Sequence, residues 1–104
     1  MGLFRDTPSE KELRELTGSV AKFYIQARTG AMPADVYHEF VAEMGPRIKD
    51  LYFQVERERG TKAANKVSIK WVFDDVRIWA NDTPLSVPGT TKHVEAVLKK
   101  VIGI

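Results

Sequence analysis

The chain of 104 residues has no cysteine. That excludes a disulfide framework, thiolate catalysis and cysteine-ligated zinc or iron–sulfur centres, and it fits a reducing compartment. No apolar run approaches the roughly 18 to 20 residues needed to span a bilayer. The start, Met1-Gly2-Leu3-Phe4-Arg5-Asp6, lacks the apolar core of a signal peptide, and Asp6 stands where N-myristoylation needs Ser or Thr. The expectation is a cytoplasmic protein with no membrane partner. Charge of one sign is also scarce: sixteen Lys and Arg stand against fourteen Asp and Glu, a formal +2. So small an excess does not imply a polyanion partner, and any basic argument must be local. There is no Gly-rich phosphate loop, no GxSxG, no HExxH, no repeat and no low-complexity tract.

What is present is an ordinary globular composition, 43% hydrophobic and 29% charged, with the length of a single domain over 1–104. Its organising stretch runs from Pro33 to Arg59. There Tyr37, Phe40, Val41, Met44, Ile48, Leu51, Tyr52 and Val55 fall on one side of a helix. The stripe keeps register through Gly45-Pro46, although an interior proline costs about 3 kcal/mol. Either one bent helix continues through Pro46, or a second helix begins there with proline in its first turn. The register favours continuity, with Gly60 as the terminator.

Upstream, Thr7-Pro8-Ser9-Glu10 reads as a capping box with proline at the first helical position. From it Leu13, Leu16, Val20, Phe23, Tyr24 and Ala27 form a second stripe ending near Gly30, with Lys11, Glu15, Lys22 and Arg28 facing water. Two long antiparallel helices follow. Leu3 and Phe4 either tuck against the core or dock on a partner.

After Gly60 the pattern changes. Val67, Ile69, Trp71 and Phe73, then Val76, Ile78 and Ala80, alternate with polar residues and are rich in β-branched and aromatic types. With Asp74-Asp75 as the turn, Phe73 pairs with Val76, Trp71 with Ile78 and Ile69 with Ala80, a self-consistent hairpin over about 67–80. A third short strand fits 85–87, after the turn signal Asn81-Asp82-Thr83-Pro84. A helix is the rival, since Lys66, Lys70, Asp74, Arg77 and Asn81 also make a polar stripe opposite Ile69, Phe73, Val76 and Ala80. Finally Thr90 or Thr91 can cap a helix carrying Val94, Val97, Leu98 and Val101, with Lys99 and Lys100 near its end and Gly103 as stop. The expected fold is α+β: two long N-terminal helices on a small antiparallel sheet and a C-terminal helix. An all-α bundle is the alternative.

Val76 to Ile104, with Asn81-Asp82-Thr83-Pro84, Val87-Pro88-Gly89-Thr90-Thr91 and the final helix, resembles the strand, turn, strand, helix unit of ubiquitin-like sulfur carriers. Those carriers end in an exposed glycine pair, whereas this chain ends Gly103-Ile104. The resemblance therefore implies no sulfur transfer.

Candidate chemistry is thin. Asp35, His38 and Glu39 supply too few converging ligands for a metal, and His93 has only Glu95 nearby. Asp74-Asp75 are turn neighbours that point apart. No catalytic residue, metal or cofactor is expected. Phe53 points roughly 160° away from its helix stripe, and Ile25 and Trp79 also lie off the presumed core faces. With Phe4 they are the candidate contacts of a non-catalytic interaction module, a regulator, adaptor or inhibitor that binds a protein partner or a second copy of itself. The alternative is a nucleic-acid-binding accessory protein using the basic segment 57–70, with Arg57, Arg59, Lys62, Lys66, Lys70 and Trp71, extended by Lys92, Lys99 and Lys100 if the last helix lies beside it.

Overall fold

A computed structural model describes residues 6–104. Leu3 and Phe4, the latter a candidate partner contact, lie outside the described residues. Helix α1 (Pro8–Arg28) starts as its sequence dictates: the Glu10 N–H donates to Thr7 Oγ1 at 3.2 Å and the Thr7 N–H to Glu10 Oε1 at 2.9 Å, closing the capping box. Gly30, with φ at +81°, turns the chain. Helix α2 (Ala34–Arg59) then runs unbroken through Pro46 to Gly60. Its twenty-six residues at 1.5 Å each give about 39 Å. The molecule's long axis is 40 Å, so α2 is its spine. The expected stripe holds, with Tyr37, Ile48, Leu51, Tyr52 and Val55 buried and Phe40, Val41 and Met44 packed at its margin.

The expected α+β fold is wrong, and the all-α alternative fits. No strand occurs among the described residues. The segment with the hairpin pattern is instead a short helix α3 (Thr61–Asn65), a wide π-type turn (Lys66–Lys70) and helix α4 (Val72–Ala80). In the wide turn the Trp71 N–H donates to the Lys66 carbonyl, five residues back, at 3.1 Å. Two features give this segment the look of a strand. Ser68 counts as outward-facing in an alternating pattern, yet it is fully buried, because its hydroxyl donates to the Ala64 carbonyl at 2.6 Å. Moreover, Ala64, Ser68, Val72, Val76 and Ala80 are all buried at a strict spacing of four. On a regular α-helix that ladder would drift about 40° per step; the π turn, with more residues per turn, winds it back onto one face. Phe73, paired with Val76 in the hairpin register, is 44% exposed.

The third strand also fails. Leu85 lies in a bend, Ser86 caps helix α5 (Val87–Ile102) by accepting from the Gly89 N–H at 3.2 Å, and Val87 is the first helical residue. Thr90 and Thr91, expected as caps, are buried within the helix instead. The resemblance to a sulfur-carrier unit falls with its strands. Gly103 terminates α5 in the left-handed conformation, as read from the sequence.

The helices pack around one apolar centre that includes Leu13, Val20, Ile48, Leu51, Val55, Val72, Val76, Val94, Leu98 and Ile102. Helix α1 is covered twice, by α2 on one side and by α4 on another. Gly18 permits the second contact: the Asp75 carboxylate lies over it, 3.3 Å from where a Cβ would stand, and pairs with Arg14 at 3.0 Å. Helix α5 meets α2 at Gly45, where an added Cβ would lie 3.3 Å from Val101 Cγ1. No helix among the described residues is long and apolar enough to cross a membrane.

The Gly45 contact is directly testable. Gly45→Leu forces methylenes into a closed seam and should lower stability by about 1–3 kcal/mol. A gain of about 1 kcal/mol in helix propensity offsets part of that. A downward shift of the urea midpoint with an unchanged helical spectrum is expected; a variant as stable as the parent would mean that α2 and α5 do not meet there.

Candidate binding groove

Three helix faces converge on the N-terminal side of the Gly45 contact. Helix α1 presents Tyr24, Ala27 and Arg28 from its last turns, α2 presents Ala34, Tyr37, His38, Val41 and Ala42 from its first, and α5 presents His93, Val97, Lys100 and Val101. In each helix the spacing is three or four residues, so each set forms one face. Together they line a groove of about 600 Å³, within the range of small-ligand sites.

One wall is aromatic. The Tyr24 ring stacks on His93 with centroids 4.5 Å apart and planes 20° from parallel. Tyr37 meets Tyr24 edge-on at 5.6 Å, and His38 follows at 5.1 Å from Tyr37. Facing rings of this kind hold one another's orientation. The remaining surface is largely aliphatic, from Val41, Val97, Val101 and the alanines. Among the described residues lining the groove there is no carboxylate and no serine, threonine or cysteine; its hydroxyls are the Tyr24 and Tyr37 phenols, and the charged groups are Arg28 and Lys100. Both sit in the last turns of their helices, where the backbone dipole favours cations.

The residues singled out from the sequence lie elsewhere. Ile25 is 2% exposed and packs in the core, because α1 is covered on two sides. Phe53 is half-buried, edge-on to Tyr52 with ring centroids 5.2 Å apart. Trp79 is 40% exposed on α4, in a shallow polar depression with the Lys22 ammonium 4.6 Å above its ring. In the basic segment Arg57, Lys62, Lys66 and Lys70 are exposed. Arg59 pairs with Glu10 at 3.5 Å, and Trp71 has the Arg14 guanidinium at 4.9 Å and the Lys66 ammonium at 5.5 Å from its ring. Lys100, named as an extension of that patch, lines the groove. Asp74 and Asp75 point apart as expected, toward Arg77 and Arg14. Among the described residues no cluster of His, Cys, Asp and Glu could hold a metal.

No family model, curated protein or solved structure matches this chain. The groove must therefore be read from its own chemistry.

Burial pushes the Tyr37 phenol above the ordinary tyrosine range, and the neighbouring Tyr24 adds to the shift. An unfolded tyrosine titrates near 10, so between that value and the raised folded one the native state holds the proton that the unfolded state has lost. Stability from this group is therefore complete below about pH 10 and is lost as pH rises further. Tyr37→Phe removes the titration. Urea midpoints measured from pH 8 to 11 should fall less steeply for Tyr37→Phe than for the parent, and parallel curves would show that Tyr37 does not titrate differently on folding.

Proposed function

We propose that this chain is a small non-catalytic interaction module, a regulator or adaptor, and that its working surface is the groove between α1, α2 and α5 in place of Phe53 or Trp79. One observation carries the reading: a concave apolar surface, framed by an aromatic wall, that the described residues leave open beside the packed core. Binding sites have this character, with few polar groups placed at the edge of an apolar hollow. The lining supports capture over chemistry, because its two histidines have tyrosine rings beside them in the groove and no carboxylate, serine, threonine or cysteine.

The nucleic-acid reading keeps one specific support, the exposed Lys62, Lys66 and Lys70 spaced four apart on the interrupted helix. Against it stands Trp71, whose ring is already engaged by Arg14 and Lys66 and is a poor platform for a base.

The fluorescent probe anilinonaphthalene sulfonate separates these readings. The native protein should bind it saturably, and Ala27→Trp or Ala42→Trp, each filling the groove from a different helix, should abolish binding while the helical spectrum persists. Phe53→Ala and Trp79→Ala should leave it unchanged. Binding that survives both groove-filling changes would refute the assignment. Duplex DNA binding that weakens steeply with salt and is lost on changing Lys62, Lys66 and Lys70 to Glu would put the nucleic-acid reading in its place.

A further inference from the structure

The charge at the groove is of one sign. Arg28 and Lys100 stand at it with no carboxylate in the lining, and neither forms an ion pair with a described residue. Elsewhere four arginines are paired, Arg14 with Asp75, Arg47 with Glu12, Arg59 with Glu10 and Arg77 with Asp74, while Arg57, like Arg28, has no ion pair with a described residue but does not line the groove. An unpaired guanidinium and ammonium beside an apolar hollow favour a ligand that brings the missing anion. A hollow with aromatic and valine walls demands, in turn, that the anion be attached to an apolar body.

Resting on the groove as the working surface, we propose that it binds a small amphipathic organic acid. Its aryl or alkyl body lies between the Tyr24–Tyr37 wall and the valines of α5, and its carboxylate lies at Arg28 and Lys100. Arginine suits this part because its planar donors match the two oxygens of a carboxylate. The volume of about 600 Å³ lies within the range of pockets that take small organic ligands. Charge thereby sets which ligand is accepted, and apolar contact supplies most of the affinity.

Three probes of matched shape test this: 4-phenylbutyrate, 4-phenylbutan-1-ol and 4-phenylbutylamine, each titrated into the isotopically labelled protein and followed through backbone amide shifts. The carboxylate should shift amides of α1, α2 and α5 around the groove and bind about tenfold tighter than the alcohol, as expected for a hydrogen bond to a charged group. The amine should not saturate. In a protein carrying Arg28→Gln and Lys100→Gln, both at exposed unpaired positions that leave the core untouched, the carboxylate should fall to the level of the alcohol while the alcohol is unaffected. Equal affinity of carboxylate and alcohol for the native protein would overturn the acid assignment and leave the groove as the binding surface, and so would an advantage that persists in the double variant. If no probe shifts the groove amides, and anilinonaphthalene sulfonate also fails to bind there, the reading of the groove itself falls.

Discussion

The absence of a side chain at Gly45 positions everything on one side of the molecule. Helix α2 is the spine, and α5 approaches it closely where Val101 meets bare backbone at Gly45. Toward the N-terminus of α2 the side chains grow: Val41 is followed by Tyr37, with Tyr24 and His93 opposite. Helices in contact at one level and separated by rings at the next must leave a wedge between them. The groove is that wedge. It needs no loop or second domain, only small residues at one level of a helix seam and large ones at the next.

The far side of the bundle uses the same device with a different result. At Gly18 the close approach is filled by the Asp75 carboxylate, held by Arg14 with the two side chains 31% and 17% exposed. A carboxylate so placed is costly without its partner, whereas the paired arrangement contributes little beyond fixing geometry. The depression beside it contains two such internal pairings, Arg14 with Asp75 and Lys22 over Trp79. Two glycine seams therefore have opposite consequences. One is closed by the protein's own charges, and the other leaves its cations without an anion.

Much of the helical frame is legible in the amino-acid sequence. The Thr7 to Glu10 capping box, the α2 stripe, and the stops at Gly60 and Gly103 are local signals, and each forms as read. Residues 61–80 defeat pattern reading because their true period is four, neither the two of a strand nor the 3.6 of a regular helix. Ser68 hides it, since its polarity is cancelled only by a bond to Ala64 that sequence does not show. Off-stripe Ile25 resembles a partner anchor when it in fact marks a helix packed on two sides. The groove is not legible at all. Tyr24, Tyr37, His38, His93, Arg28 and Lys100 are unexceptional in their own helices, and they acquire meaning only when three elements, separated by as much as the length of α2, α3 and α4, are brought together.

The aromatic residues singled out from the sequence have contacts within the fold. An aromatic ring on a helix has many ways to be satisfied within the fold: Phe53 against Tyr52, Trp71 between two cations, Trp79 beneath Lys22. Each is partnered at little cost, so its presence says little about a ligand. A cation is different. In water it needs no partner, and on most surfaces an unpaired lysine is commonplace. Beside an apolar hollow, however, its field is less screened, and any apolar group entering the hollow displaces the water that had solvated it. A neutral ligand would have to bear that loss; an amphipathic anion restores the lost solvation with its own charge. The property proposed to select a ligand is thus the coincidence of unpaired charge and open apolar surface. Among the described residues of this bundle, Arg28 and Lys100 at the α1, α2 and α5 groove show that coincidence.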